Sequence, residues 1–362
     1  MNFTVQKANL VSAMDVAIRA IPSKSTMPLL YNFLIEVKGD TGYITSTDMG
    51  TSIKTRFTCM AIEDGEMCVD AKTLITAVKK MGKADITFET DGNMVIVTGA
   101  KARYEFPISP VDDYPSLPSI KDTTKFFIDG DVLRSMIDGV SFSASTTEKG
   151  NKVLMGINLF MDKGKLRLTA LDLIRVAIRF AENECDESVN VVVPLKTMVE
   201  LSKSIIEEDV EVEVSKINIR FTFGNTTMIA RLIDGNFFNV DQILRHKPTI
   251  YVKCNKKELM ETVDRALVLL NAGDDKTPAI MSITDDSINI SFQTKISKFS
   301  EDLALEKTGE DIRIGVNPAY LLDALKAADG DEVQMQFHNP NAPVNIVDDN
   351  GSYTYVIMPV NI

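Results

Sequence analysis

Runs of adjacent carboxylates are the most frequent groups in this chain that could do chemistry. The acidic runs are Glu63–Glu66, Glu182–Glu187, Glu207–Asp209, Asp285–Asp286 and Asp348–Asp349. Paired carboxylates can serve as general acid and base or hold a divalent cation. These runs mostly stand beside Gly, Ser or Asn in turn-like contexts, and no partner histidine or nucleophile motif accompanies them. We therefore interpret them as turn and edge residues and expect neither catalysis nor a metal site.

Other reactive residue types are scarce. The four cysteines stand at positions 59, 68, 185 and 254, and the only histidines are His246 and His338. This spacing predicts reduced, structural thiols rather than a zinc site or a disulfide framework. Neither G-x-x-x-x-G-K-[ST] nor G-x-G-x-x-G occurs, so the common nucleotide-binding loops are missing. The sequence therefore predicts a non-catalytic protein without a cofactor.

Length and composition predict a globular protein of two to three domains. The chain has 362 residues and a mass of 40.0 kDa, with 44% apolar and 25% charged residues and a mean hydropathy of +0.01. Its apolar stretches are too short to span a bilayer, and the start of the sequence has no apolar signal region. We expect a cytoplasmic protein without a membrane partner. The net charge of −12 makes nucleic acid a poor default ligand unless the basic residues are clustered.

A long internal repeat organises the sequence. The segments Ala71–Ile75, Leu195–Val199 and Ala319–Leu322 follow one another at intervals of 124 residues, and Asp48 and Asp172 are also 124 apart. Solenoid repeats are much shorter, so a repeat of this length is a whole domain. We predict three tandem copies of one domain. The predicted domains are residues 1–120, 124–245 and 246–362.

Each copy shows the same order of elements, in which two helices are separated and followed by alternating segments. The first helices are predicted at Lys7–Ile21, Asp131–Phe142 and Lys256–Leu270, and the second helices at Ala71–Met81, Leu195–Ile206 and Pro318–Ala327. Alternation with a period of two favours antiparallel strands, and apolar residues at helical spacing favour amphipathic helices. The pattern predicts an α+β fold with helices on one face of antiparallel sheets.

Lysines cluster on the second helix of the first copy. Lys72, Lys79, Lys80 and Lys83 form a stripe beside the apolar one. On a single helix such a stripe is usually a solvated face. A weaker stripe recurs at the corresponding helix of the second copy, where Glu200 interrupts it. In an acidic protein, this recurrence favours a basic helical surface with the acidic residues elsewhere.

Three segments carry a family resemblance. Ser25–Asn32 resembles a P-T-L-P-I-L-x-N segment, Arg231–Phe237 a K/R-L-[IV]-[DE]-G-x-F signature, and Tyr355–Ile362 a terminal Y-V-[IV]-M-P-M-R-L. These motifs, together with the three-copy organisation, resemble the bacterial DNA polymerase III beta subunit (beta sliding clamp) family. The resemblance covers the whole chain.

The resemblance implies DNA clamp domains and a ring. Two chains would close head to tail, and the helices would line a hole that holds double-stranded DNA without reading its sequence. The chain would be a non-catalytic subunit of a polymerase holoenzyme. The residues implied to face DNA are Lys7, Arg19, Lys24, Lys72, Lys79, Lys80, Lys83, Arg134, Lys196, Lys203, Lys257 and Arg265.

The resemblance also implies a peptide-binding cleft between the second and third domains. Its partners would be the replicative DNA polymerase alpha subunit, the clamp loader and other proteins with a clamp-binding motif. The implied cleft residues are Leu154, Leu171, Leu173, Ile174, Arg175, Val176, Phe238, Gln242, Ile243, Asn317, Tyr320, Val356 and Met358. Leu154, Val176 and Ile243 are equally well explained as interface packing.

The sequence departs from the family pattern at three places, one of which is the tail, where Val360–Ile362 replaces the terminal M-R-L. Leu171–Arg175 replaces T-D-G-H-R, and Phe237–Val240 replaces F-P-D-Y, so we expect a narrower, more apolar cleft with an altered peptide preference. The main alternative is a monomeric three-domain peptide-binding adaptor without DNA binding, and a weaker one is a carboxylate-dependent hydrolase. Sedimentation distinguishes a dimeric clamp from a monomeric adaptor.

Overall fold

The computed structural model describes residues 1–147, 150–206, 209–244, 247–271, 278–293 and 297–362, without the side chains of 243–244 and 269–271. These residues form two compact units. The first contains Met1–Asp131 and Lys203–Leu232, and the second contains Val132–Ser202 and Ile233–Ile362.

Helices are few and strands are many. The helices are α1 (Lys7–Ala17), α2 (Ala71–Lys80), α3 (Gly130–Ser141), α4 (Leu195–Ser202), α5 (Asp241–Leu244), α6 (Lys256–Asn271) and α7 (Pro318–Ala327), with 3-10 turns at Ile18–Ala20, Pro28–Tyr31 and Lys152–Met155. The strands are β1 (Asn2–Gln6), β2 (Asn32–Lys38), β3 (Thr41–Thr47), β4 (Thr51–Thr58), β5 (Met60–Glu63), β6 (Gly65–Asp70), β7 (Asp85–Asp91), β8 (Met94–Gly99), β9 (Ala102–Ser109), β10 (Thr124–Ile128), β11 (Gly156–Asp162), β12 (Lys165–Leu171), β13 (Arg175–Glu182), β14 (Val189–Pro194), β15 (Val210–Val214), β16 (Asn218–Phe223), β17 (Thr226–Arg231), β18 (Ile250–Asn255), β19 (Ala279–Ile283), β20 (Ser287–Gln293), β21 (Lys298–Ala304), β22 (Glu306–Thr308), β23 (Ile312–Val316), β24 (Glu332–Phe337), β25 (Val344–Val347) and β26 (Tyr353–Ile357).

The predicted helices are present, and two of them end early. The first helix was predicted to reach Ile21, but α1 ends at Ala17 and a 3-10 turn follows. Pro22 explains why the chain is extended at Ile21, because a proline disfavours helical backbone in the preceding residue. Helix α4 ends at Ser202 rather than at Ile206.

Helix α2 shows how local sequence sets its bounds. The Asp70 side chain accepts a hydrogen bond from the Thr73 N–H (2.8 Å), which caps the N-terminus of the helix. At the other end, the Lys7 amine donates to the carbonyl oxygens of Lys79 (2.9 Å) and Met81. Between these ends, Leu74 and Val78 are fully buried in the core of the first unit.

The first unit contains one antiparallel sheet of thirteen described strands. Their order is β10-β15-β16-β17-β4-β3-β2-β6-β9-β8-β7-β1-β5. Strands of the middle copy therefore continue the sheet of the first copy. At the join, β17 pairs with β4, with Thr226 opposite Thr55 and Ala230 opposite Thr51. This pairing covers two strand edges that would otherwise expose unpaired backbone groups.

The second unit repeats that join. Its described strands form a nine-stranded sheet, β14-β11-β12-β13-β26-β25-β24-β18-β22, and a four-stranded sheet, β21-β20-β19-β23. Here β26 of the third copy pairs with β13 of the middle copy, with Tyr353 opposite Arg179. The middle copy is thus divided between the two units, because each of its half-sheets continues the sheet of a neighbouring copy.

A buried arginine stabilises the β13–β26 join. Arg179 is 6% exposed and donates hydrogen bonds to the Tyr355 hydroxyl (2.9 Å), to Asp329 (2.8 Å) and to the Ala327 carbonyl oxygen (2.5 Å). The Tyr353 and Tyr355 rings stack with centroids 4.8 Å apart. A Cβ at Gly139 would lie 2.0 Å from the Arg179 Nε, so glycine is needed there for close approach.

The stacked tyrosines predict a loss of stability at alkaline pH. Burial raises the pKa of Tyr353 to about 12, whereas an unfolded tyrosine titrates near pH 10. The neutral phenol is favoured in the folded state, so this contribution is complete below about pH 10 and is lost as the pH rises towards about 12. We expect Tyr353→Phe to reduce this alkaline loss of free energy of unfolding by roughly 2 kcal/mol. Guanidinium titrations between about pH 9 and about pH 12 measure the free energy of unfolding, with Tyr251→Phe, at a 45% exposed tyrosine, as control. An unchanged slope in Tyr353→Phe would contradict the assignment.

Candidate functional site

An apolar cleft of about 400 Å³ lies within the second unit. It is formed by the turn between β12 and β13, the end of β26 and the segment around α5. Its lining residues are Leu171, Leu173, Ile174, Val176, Phe238, Asn239, Val240, Gln242, Pro343, Val356 and Met358. None of these lining residues carries a charge. Such an arrangement suits an apolar ligand with a few polar contacts.

The β12–β13 turn forms one wall of the cleft. The Asp172 carboxylate accepts hydrogen bonds from the N–H groups of Ile174 (3.1 Å) and Arg175 (3.0 Å). These bonds hold Leu173 at φ 75°, a left-handed conformation that is uncommon for leucine. The Leu173 side chain is 64% exposed as a result.

The first copy contains the same turn. The Asp48 carboxylate accepts from the N–H groups of Gly50 (3.0 Å) and Thr51 (2.7 Å), and Met49 lies at φ 73°. The left-handed residue is therefore a property of the repeat and not of the cleft alone. What distinguishes the second copy is Leu171 and Val176 in the flanking strands, where the first copy has Thr47 and Ser52.

The cleft has a buried floor and an exposed rim. Its floor belongs to a cluster of buried apolar residues: Leu154, Leu171, Val176, Ile178, Val240 and Val356. Leu154 is part of this cluster but does not line the cleft. The apolar rim residues are partly exposed: Phe238 (41%), Met358 (42%), Ile174 (46%) and Leu173 (64%). Exposed apolar residues around a concave surface are typical of an interaction site.

Four predicted cleft residues lie outside the lining: Leu154, described above, and Arg175, Asn317 and Tyr320. The Arg175 side chain makes ion pairs with Asp172 (3.0 Å) and Asp323 (2.7 Å) and lies 4.3 Å from the Tyr320 ring centroid. Asn317 caps α7 by accepting from the Ala319 N–H (2.9 Å). Neighbouring residues of a strand point to opposite faces, which separates Arg175 from the cleft residue that follows it. The side chain of Ile243, also predicted, lies outside the described part of the structure.

Three lining residues were missed by the sequence analysis. Asn239 and Val240 lie in the segment that departs from F-P-D-Y, and this departure was a usable signal. Pro343 precedes β25 and carried no signal, because only the fold brings it to the cleft. The segment that contains Asn239 and Val240 is held in place by Asp241, which forms an ion pair with Arg167 (2.7 Å). The Arg167 guanidinium in turn lies 4.6 Å from the Phe160 ring centroid.

The predicted basic residues differ in how far their charges are already paired. Lys24, Lys72, Lys80, Lys83 and Lys257 are exposed, and none of them has an ion-pair partner among the described residues. Lys79 pairs with Asp15 (2.5 Å). Arg265 donates to Glu301 (2.9 Å), and this bond raises the pKa of its guanidinium. Lys7 caps α2, so its amine is engaged with backbone oxygens. Further interactions engage Arg19, Arg134, Lys196 and Lys203.

Across the described ranges, no group of three or more His, Cys, Asp and Glu side chains is placed to hold a metal ion. None of the helices that the structure describes combines the length and apolar character needed to cross a membrane.

Two of the open strand edges in the described sheets belong to β9 and β21. Over Ala102–Pro107, β9 pairs with β8 alone among the described strands. Strand β21 likewise pairs only with β20 among the strands that the structure describes, and none of the residues of β21 is fully buried. When the three copies are compared, β9 of the first copy is equivalent to β17 of the second. In the same way, β21 of the third copy is equivalent to β4 of the first and β13 of the second. These two open edges are therefore the counterparts of the strands that join neighbouring copies inside the chain.

Family models match the chain in three consecutive parts. They are the N-terminal, central and C-terminal domains of the DNA polymerase III beta subunit, at residues 1–118, 127–239 and 241–361. The Beta sliding clamp of Bacillus subtilis (strain 168) is 29% identical over 376 residues, with 99% of each chain covered. The Staphylococcus aureus (strain Mu50) protein of that name is 27% identical, again with 99% of each covered.

Solved structures share the fold over its full length. A putative DNA polymerase III beta subunit from Eubacterium rectale superposes with a TM-score of 0.95 at 34% identity and 100% coverage of both chains. The DNA polymerase sliding clamp of Bacillus subtilis also gives 0.95, at 28% identity, with 100% of this chain and 99% of that one covered. The predicted fold class of three tandem clamp domains is confirmed. With family models covering nearly the whole chain in order, the chain belongs to the DNA polymerase III beta subunit family.

Proposed function

We propose that two copies of this chain close head to tail into a ring around duplex DNA and act as a sliding clamp, the processivity factor of a replicative polymerase. The observation that carries this proposal is that the open edges of β9 and β21 are the counterparts of the strands that join neighbouring copies. Inside the chain, the last strand of a copy pairs with the fourth strand of the copy before it. This happens at two joins, where β17 pairs with β4 and β26 pairs with β13. The same rule applied between chains joins β9 of one chain to β21 of the other.

The repeat also gives the register of this contact. Thr55, Arg179 and Glu301 occupy equivalent positions in their hairpins, and Thr55 and Arg179 face Thr226 and Tyr353 across the internal joins. Ala102 is equivalent to Thr226. The intermolecular register therefore sets Ala102 opposite Glu301 of the second chain.

Continuing this antiparallel register supports the contact. Tyr104 comes opposite Phe299 of the second chain, and Glu105 comes opposite Lys298. Aromatic pairs and opposite charges directly across an antiparallel ladder are both stabilising. An edge covered in this way no longer offers unpaired backbone groups to other chains.

Exposed lysines would hold the DNA. Lys24, Lys72, Lys80, Lys83 and Lys257 have charges available for phosphate groups, and such contacts carry no sequence information. The remaining predicted basic residues would contribute less, because their charges are partly engaged within the chain. Weak, sequence-independent contacts suit a ring that must slide.

The cleft would receive short apolar peptides from the polymerase alpha subunit, the clamp loader and other proteins with a clamp-binding motif. Its exposed rim and buried floor suit a few apolar anchors, which carry most of the free energy in such contacts. The chain itself would be non-catalytic and cytoplasmic, where it would meet replicating DNA. Domain boundaries at 1–120, 124–245 and 246–362 remain part of the proposal.

Retention on closed DNA tests the ring. The full chain is loaded with a clamp loader and ATP onto nicked circular duplex, and the complex is separated from free protein by gel filtration. We expect retention on the circle and release once the circle is linearised. Equal retention on circular and linear DNA would contradict a topological ring, and a monomer at all working concentrations would favour the adaptor.

Phe238 gives a test of the cleft. Because Phe238 is an exposed aromatic on its rim, Phe238→Ala should weaken binding of a peptide copied from the clamp-binding segment of the host polymerase by about tenfold. Fluorescence anisotropy measures this affinity, and Ile217→Ala, at a 60% exposed apolar residue of the first unit, is the matched control. Since the lining is uncharged, the affinity should change little between about 50 and about 500 mM salt. Equal affinity of Phe238→Ala and wild type would contradict this assignment.

A further inference from the structure

The C-terminal tail is anchored on both sides of Met358. Strand β26 ends at Ile357, and the Met358 N–H then donates to the Ile174 carbonyl oxygen (2.8 Å). Two residues later, the Val360 N–H donates to the Gly315 carbonyl oxygen (2.8 Å), and these two residues form an isolated antiparallel bridge. The tail therefore crosses from the nine-stranded sheet to β23 of the four-stranded sheet. Met358, a rim residue of the cleft, lies between the two anchors.

Gly315 leaves room for the second anchor. A Cβ at this position would lie 2.4 Å from the Ile362 Cγ2 and 2.5 Å from the Val360 carbonyl oxygen. The Gly315 backbone is not in the left-handed region, so a side chain is excluded by space and not by conformation. An alanine there must displace the tail, because the chain atoms of Val360 cannot rotate aside as a flexible side chain would.

Displacement at Val360 would reach Met358 through one residue. Pro359 connects them, and its ring fixes its φ and removes its N–H. The connection is thus stiff and cannot form a substitute backbone hydrogen bond. A shift of Val360 then alters the angle at which the chain leaves β26 and the place of the Met358 side chain on the rim.

We infer that Gly315 is a positioning residue for the cleft, which holds Met358 in place by seating the tail against β23. The inference rests on the proposed peptide-binding function of the cleft. Gly315 does not line the cleft and would not touch the peptide. Met358 is 42% exposed, and its unbranched side chain suits contact with an apolar peptide anchor.

The test combines Gly315→Ala with a chain that ends at Met358. The probe is a fluorescent peptide copied from the clamp-binding segment of the host polymerase. In the full chain we expect Gly315→Ala to weaken peptide binding about tenfold, the scale of losing one anchor contact. Amide hydrogen exchange at Met358 and Val360 should become faster. In the chain that ends at Met358, Gly315→Ala should have no further effect, because no tail remains to be displaced.

Gly50→Ala is the matched control. Its added Cβ would meet only the Asp48 carboxylate at 3.5 Å, in the first unit. If Gly315→Ala fails to fold, Val360→Pro tests the inference instead. This substitution removes the N–H that donates to the Gly315 carbonyl oxygen and adds no atom to β23. Peptide affinity unchanged in Val360→Pro would then overturn the inference.

The outcomes separate this inference from the proposed function. Failure of the wild-type chain to bind the peptide would count against the cleft function itself. Binding by wild type together with equal binding by Gly315→Ala would overturn the inference alone. An equal loss of affinity with and without the tail would also overturn it, because the effect would then arise within β23.

Discussion

Phe299→Asp is expected to leave the chain folded and monomeric, and to abolish its retention on circular DNA. Phe299 lies on the open edge strand β21, where no residue is fully buried, so folding of the single chain loses little. In the ring, the new carboxylate would be desolvated against Tyr104 of the second chain, which costs several kcal/mol. A closed ring contains this contact twice. Sedimentation equilibrium should show a mass near 40.0 kDa in place of twice that value.

A charge exchange tests the register of the same contact. Glu105→Lys and Lys298→Glu should each weaken the dimer, and the double variant should regain stability, with pair energies of about 0.2–1 kcal/mol per contact. Glu89→Lys is the control, because Glu89 is exposed on β7, which is paired on both sides. A dimer that survives Phe299→Asp would exclude these edges as the interface. A double variant no better than either single variant would show that the register is wrong.

Features that repeat along the sequence were predictable. The interval of 124 residues identified the equivalent turns at Asp48 and Asp172, and the structure gives both the same carboxylate cap and left-handed residue. Helix α2 was predicted to within one residue, because its apolar stripe is a local signal.

Features that depend on distant pairing were not predictable in the same way. No local pattern indicates that β17 pairs with β4, because strand partners are chosen by contacts far apart in sequence. The role of Lys7 was also missed, since its amine meets the end of a helix that begins 64 residues later. Arg175 could have been separated from Val176 by strand alternation, which the family motif obscured.

The cleft shows both cases. Leu173 and Phe238 were predicted from the motif and lie on its rim. Pro343 reaches the cleft only because β25 pairs beside β26. The sequence thus indicated which residues differ from the family pattern. The pairing of strands in the nine-stranded sheet determines which of these residues lie together in the cleft.

Replacing Lys72, Lys80 and Lys83 with Glu should strongly reduce DNA binding without affecting dimerisation. These lysines are exposed and form no ion pair among the described residues, so the free energy of unfolding should change by about 0.5 kcal/mol or less per site. If each neutralises one phosphate, the slope of log K against log salt should fall by about 0.9 per lysine, or roughly 2.7 for the three. Fluorescence anisotropy with a short duplex across a salt series measures the slope.

The control triple variant carries the same change in net charge elsewhere in the first unit. Lys38, Lys101 and Lys121 are exposed and lie outside the helices. Their replacement by Glu should leave the slope nearly unchanged, because long-range repulsion is screened within about 10 Å. Equal slopes for both triple variants would mean that net charge, and not the α2 stripe, governs DNA binding. Lys79 adds an internal check: Asp15→Asn removes its ion pair, so if Lys79 also faces the DNA, this substitution should steepen the slope.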